Sequence, residues 1–207
     1  IPSGETSSYR SNPLGLAEFT LSRRDPDYVG RAKAVDKVER ARLAGDCPAG
    51  VDPDLKEVFA VLRAHFGDVS MKDVEIGSMI YCIKPGDGSA REQAASCQRV
   101  LGGCANICYE YATKRYRSNC INWGMLPFHI DADVKFDFEP GDRIFVPNVS
   151  AAVRSGSRCI PAMVIRRSAA KVPLLLRLPE LTADERQILL DGCLMNYYAA
   201  NHAKENV

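Results

Sequence analysis

Apolar residues recur along this chain at two spacings, and the change from one to the other divides it. Between Asp27 and Leu43, Ala32, Val35, Val38 and Arg42 stand three or four residues apart with Lys and Glu between them, which predicts a helix. The run Asp46-Cys47-Pro48-Ala49-Gly50 ends it. A second helix is expected from about Asp54 to His65. Leu55, Val58, Phe59 and Leu62 form its apolar stripe, Pro53 suits its first turn and Gly67 its stop. These two helices, residues 27–66, read as an insertion packed on the main domain. The polar, turn-like residues 1–14 read as a loop.

From residue 78 the pattern alternates strand with helix. A short apolar run, Ser78–Ile83, is followed by a glycine-rich turn and a helix from Arg91 to Leu101, closed by Gly102-Gly103. Ala105–Tyr109 reads as a buried strand and Glu110–Asn122 as the next helix. That order predicts an α/β arrangement with parallel neighbours. The last third changes to period two: Val134, Phe136 and Phe138 alternate with Lys135 and Asp137. A turn at Glu139–Asp142 follows, then strands at Arg143–Pro147, Ile160–Arg166 and Val172–Leu178. Thr182, with Glu185 three residues on, caps a closing helix over 182–200. Ile188, Leu189, Gly192, Leu194, Met195 and Tyr198 are expected on its apolar face.

A chain of 207 residues suits a single domain spanning 1–207. Its net charge of +1 argues against a dedicated nucleic-acid binder. No run of eighteen apolar residues occurs, so no membrane helix is expected. No secretory leader is visible. The eight cysteines sit mostly in apolar segments and read as reduced, buried thiols of a cytoplasmic protein. Cys104 and Cys108 form a Cys-x₃-Cys with no second pair and no suitably placed His, so no metal site is assigned.

The chemistry concentrates in Lys84-Pro85-Gly86-Asp87-Gly88-Ser89-Ala90-Arg91-Glu92-Gln93-Ala94-Ala95. Strand, glycine turn and helix start point backbone N–H groups and the positive end of a helix dipole at an anion. Ser89 adds a hydroxyl and Arg91 a guanidinium, and a carboxylate needs such a site. The plainer assignments are that Ser89 caps its helix and that Arg91 is a surface residue, although a cation in a first turn opposes the dipole. Lys114-Arg115-Tyr116-Arg117 reads as a solvated helix face, and Trp123 as a core residue.

Two motifs carry a resemblance. Gly86-Asp87-Gly88-Ser89-Ala90-Arg91-Glu92-Gln93-Ala94-Ala95 and, some thirty residues on, Asn119 through Gly124-Met125-Leu126-Pro127 resemble the C-terminal swivel domain of the aconitase superfamily. The matching covers about residues 78–150, whereas residues 1–77 match the usual aconitase poorly. The resemblance implies a three-layer swivelling β/β/α fold. It implies an alkoxide base at Ser89, carboxylate binding at Arg91 and substrate contacts at Gly88 and Ala90. Arg10, in the polar Glu5–Asn12 cluster, is a further substrate-binding candidate. Ala90 stands where many aconitases carry a second serine, which leaves citrate specificity open.

The resemblance also implies a [4Fe–4S] cluster in the complete enzyme. The family's cluster motif, a Cys-x-x-Cys with a distant third cysteine, is absent, so this chain is not expected to bind the cluster by it. The expected partners are iron–sulfur domains or a large subunit, with a di- or tricarboxylic hydroxy acid as substrate. The chain begins at Ile1 and reads as part of a longer hydro-lyase, inactive alone. Alternatives are the small subunit of an isopropylmalate- or homoaconitate-type isomerase, and a non-catalytic regulatory or RNA-binding module.

Overall fold

A computed structural model describes residues 1–135 and 137–205. Six strands form one sheet in the order β1-β2-β3-β6-β5-β4. The first three, β1 (Ser78–Cys82), β2 (Gly103–Cys108) and β3 (Leu126–His129), are parallel. They are joined by helices α5 (Arg91–Val100) and α6 (Lys114–Asn122), because parallel neighbours need a crossover. The other three, β4 (Arg143–Phe145), β5 (Cys159–Ile165) and β6 (Lys171–Arg177), are antiparallel. A single register pair, His129 with Arg177, joins the two halves.

Side-chain alternation shows how the sheet is covered. On β5, Ile160, Ala162 and Val164 face the main core, while Met163 and Ile165 face the helices of the 27–66 region, the period of two that a strand buried on both faces requires. Met79 and Tyr81 of β1 and Ile144 of β4 pack on the same main core. The sheet therefore curls until its two edge strands share one interior. Tyr81 touches Phe138, ring to ring, at 4.4 Å.

The helices expected over 27–66 are present as α3 (Tyr28–Leu43) and α4 (Leu55–Phe66). Ala32, Val38, Leu55, Phe59 and Leu62 are buried as the periodicity requires, and Gly67 ends α4 at φ +82°. The N-terminal segment is not a plain loop. It holds α1 (Ser3–Ser8) and α2 (Pro13–Ala17), the latter capped by Asn12, whose side chain accepts from Gly15 N at 2.9 Å. Leu16 and Ala17 of α2 pack beside Cys97 and Leu101 of α5.

Elsewhere the chain departs from its periodicity, and two elements form that the pattern does not announce. Val134 and Phe138 pack on the main core without joining a strand, so their alternation reports burial and not a ladder; Phe136 lies outside the described residues. β3 forms over Leu126–His129, directly after the turn that Gly124 makes behind α6. Over Pro127 it has one hydrogen-bonded neighbour, since β6 joins only at His129, which tolerates the missing N–H. Helix α7 (Val149–Ser155) lies between Asn148 at φ +53° and Gly156 at φ +74°.

The closing helix is two helices, α8 (Ala183–Leu190) and α9 (Leu194–Glu205), parted at Gly192 with φ +88°. The Thr182/Glu185 capping box is formed. Met195 and Tyr198 are exposed, and Ile188 carries the burial. Gly124, at φ +73°, abuts this break: a Cβ there would stand 1.8 Å from the Gly192 carbonyl oxygen, so the chain after α6 tolerates no side chain. No helix among the described residues is long and apolar enough to cross a membrane.

Candidate carboxylate cradle

The C-terminal ends of three parallel strands point the same way, where open α/β sheets bind ligands. The loop leaving β1 runs through Pro85 to Ala90 and enters α5. Two bonds from the neighbouring loop hold it: Ala112 N donates to Pro85 O at 2.8 Å, and Thr113 Oγ1 donates to Gly86 O at 3.1 Å. Lys84 and Glu110 add an exposed ion pair at 3.0 Å. Gly86 adopts φ +93°, and a Cβ there would meet Tyr116 Cβ at 2.5 Å and its ring at 2.6 Å. Only glycine satisfies both conditions. Around Gly88 a Cβ would meet nothing within 4 Å, leaving room for a ligand to reach the backbone.

Ser89 is exposed, and its hydroxyl makes no hydrogen bond among the described residues. The N-cap of α5 is Ala90, at φ −85° and ψ 58°, with no side-chain cap bond. Ser89 therefore does not do the capping work that a serine beside a helix start ordinarily does, and the first-turn N–H groups keep their capacity for an acceptor. Arg91 is the first residue of α5 and half-buried. Its Nε is buried without a partner, and among the described residues it has no ion pair. An unbonded buried donor costs about 1–3 kcal/mol, and a cation in a helix first turn costs more. Stability alone does not explain Arg91.

Ser89, Ala90 and Arg91 line one open groove of about 2430 Å³, which runs between the two edges of the curled sheet and also touches Asn148, Ser150 and Arg154. Arg10 is exposed in the turn after α1 and is not among the residues lining this groove, which takes Ile1, Ser3 and Thr6 from that segment. Four of the five expected site residues, Gly88, Ser89, Ala90 and Arg91, thus lie together in the groove, and Arg10 stands apart.

The sequence reading missed the supports of the turn. Tyr116 is 4% exposed, so the Lys114–Arg117 run is not wholly a solvated face; Lys114 and Arg115 alone are exposed. The signal was the four-residue spacing of Tyr116 and Cys120, which face the same core cluster. Trp123 packs at the edge of that cluster and donates from Nε1 to Glu92 at 3.1 Å. A neighbouring group at the strand ends comprises His129, Tyr111 and Arg117. The His129 ring contacts Tyr111 edge-on at 5.1 Å, and burial, with Arg117 adding to it, holds its pKa below the usual range. Arg117 Nε is also buried without a partner.

All eight cysteines are free, but not all are buried: Cys47 and Cys159 are exposed. Cys82, Cys108 and Cys120 meet in the cluster beneath the turn. Burial pushes all three thiols up to about 12. Among the described residues no three His, Cys, Asp or Glu side chains are placed to hold a metal ion. The described residues therefore offer no ligand set for the iron–sulfur cluster that the motif resemblance implies for the complete enzyme.

No protein-family model matches the chain, and no curated protein matches it in sequence. Among solved structures, a 3-isopropylmalate dehydratase from Methanocaldococcus jannaschii aligns at 21% identity and a TM-score of 0.45, covering 94% of this chain and 81% of that one.

Proposed function

We propose that this chain is the swivel-type, three-layer β/β/α module of an aconitase-like hydro-lyase, which holds a hydroxy-polycarboxylic acid for dehydration and rehydration. The observation that carries the reading is the pairing of an unbonded Ser89 hydroxyl with a half-buried, unpaired Arg91 at the uncapped start of α5. The two sequence motifs supply the reaction class.

In this reading Arg91 grips one substrate carboxylate, since its planar fork matches two carboxylate oxygens. Ser89 takes the proton from the carbon beside that carboxylate. The C–H electron pair becomes the new C=C bond as hydroxide leaves the neighbouring carbon. A serine hydroxyl ionises far above neutral pH, so its alkoxide needs the first-turn N–H groups and the nearby guanidinium. Assistance to the leaving hydroxyl belongs to the iron–sulfur domains or large subunit of the assembled enzyme. Ala90 offers no hydroxyl to the substrate, so selectivity among citrate-, methylcitrate- and isopropylmalate-type acids rests on other groups.

The test is Ser89→Ala in the assembled enzyme, assayed on cis-aconitate and isopropylmalate. Turnover should fall by about 10²–10⁴-fold, with circular dichroism and melting temperature unchanged. Near-normal turnover removes Ser89 from the chemistry.

A further inference from the structure

A chain of buried polar side chains runs through the parallel half and ends beneath the cradle. Gln98 of α5 and Asn106 of β2 are 0% and 1% exposed. Gln98 Nε2 donates to Asn106 Oδ1 at 2.7 Å and to Ala105 O at 3.2 Å. Asn106 Nδ2 in turn donates to the Tyr116 hydroxyl at 3.2 Å, with Cys120 Sγ at 3.5 Å. The Tyr116 ring then lies against Gly86, close enough that any Cβ would collide with it. Asn106 is in the middle strand of the parallel set, in register with Ile80 on one side and Pro127 on the other. An apolar side chain there would avoid the cost of burying an amide. The bonds hold Gln98, Asn106 and Tyr116 in place relative to one another, with Gln98 Oε1 left buried without a partner.

We propose that Tyr116 is a positioning residue: its ring is the floor on which Gly86 rests, and the Gln98–Asn106–Tyr116 chain sets the height of Ser89 and Arg91 above the parallel strands. The inference rests on the reading of the cradle as a carboxylate site for its consequence, but not for its geometry. Thr113 holds Gly86 by its carbonyl, and Tyr116 holds it by steric contact. The hydroxyl bond to Asn106 stops the ring from sliding. Burial raises the Tyr116 pKa far above its usual value, so the group stays a neutral phenol that can both accept and donate.

The test compares Tyr116→Leu, Tyr116→Phe and a control, Val164→Ala, which trims a 0% exposed side chain of the antiparallel half that does not line the groove. Two readouts are taken on the 207-residue chain: amide exchange over residues 86–90, and binding of tricarballylate, an unreactive tricarboxylate. Tyr116→Leu should speed exchange over 86–90 by about tenfold or more while β2 stays protected, and weaken tricarballylate binding by about tenfold. Tyr116→Phe, which keeps the ring but loses the bond from Asn106, should recover only part of both; full recovery would remove the polar chain from the positioning role. Val164→Ala should lower the melting temperature and move neither.

If Tyr116→Leu does not fold, Gly86→Ala pushes on the same contact from above and should produce the same two changes. Wild-type exchange and affinity in Tyr116→Leu, or equal changes in Val164→Ala, overturn the positioning role. A different outcome separates the two ideas: if wild type and Arg91→Ala both fail to bind tricarballylate while Tyr116→Leu still loosens 86–90, the positioning role stands and the carboxylate reading falls.

Discussion

In the antiparallel half of the sheet, arginines rest on aspartates. Arg177 forks onto Asp131 at 2.6 and 2.7 Å, Arg166 reaches both Asp137 and Asp142, and Arg143 meets Asp52 at 2.7 Å. In the parallel half, Arg91 and Arg117 sit in the first turns of their helices with Nε buried and no ion-pair partner among the described residues. The first set closes its electrostatics within the chain. The second leaves donors open at the strand ends, where a carboxylate can complete them. Buried donors without acceptors are a stability cost, and such costs gather where a protein keeps a site ready for something else.

The largest expected effect tests whether the halves are separate at all. Phe128 on β3 is 1% exposed in the core that both halves share. Phe128→Ala should cost about 3–5 kcal/mol and unfold both halves in one transition. Two resolved transitions in denaturant would show that the single His129–Arg177 join leaves them independent.

Next in size is Gly124→Ala, where the added methyl meets the Gly192 carbonyl at φ +73°. A loss of about 1–3 kcal/mol is expected, read as a drop in melting temperature with α8 exchanging faster. An unchanged melting temperature would mean that the α6 and α8 ends separate freely.

The contrast between the arginines predicts opposite signs. Arg166→Met should lower the melting temperature, because it strands Asp137 and Asp142. Arg91→Met should leave it within about 0.5 kcal/mol of wild type or raise it. Equal losses at both positions would erase the comparison.

The smallest effects come with acid, in two steps. His129 has its pKa lowered by burial below its usual 6.5, so the unfolded chain takes up that proton first. Its contribution is complete above 6.5 and is lost as pH falls below that value. Asp131 and Asp137 are lowered from 3.8 by their bonds to Arg177 and Arg166. Their contribution is full above about 4 and disappears as pH falls further. Melting curves of His129→Gln should flatten the first step only, and those of Arg177→Gln the second.

Much of this was legible in the chain because it is local. Leu55, Phe59 and Leu62 announce α4 by spacing, Thr182 and Glu185 announce α8 by chemistry, and Gly86 through Arg91 announce the turn. What was not legible depends on partners distant in sequence. Leu126–His129 becomes a strand because β2 is there to pair with it. Val134 and Phe138 bury themselves on the core without a ladder, so their alternation misleads. Seven residues of α7, rich in Ser and Ala, are too few to show a period. Tyr116 looked like part of a charged face until Gly86 was found resting on it. Arg10, a candidate because the resembled family binds substrate with further arginines, lies outside the groove that holds Arg91.

The most direct measurement is calorimetric titration of tricarballylate into the wild-type chain, Arg91→Lys and Arg177→Lys. Loss of the planar fork at residue 91 should abolish or weaken binding by about tenfold or more, while the same change at residue 177 should leave the affinity as it was. Equal affinity in wild type and Arg91→Lys, or a loss confined to Arg177→Lys, would contradict the claim that the open guanidinium of α5 exists to meet a carboxylate.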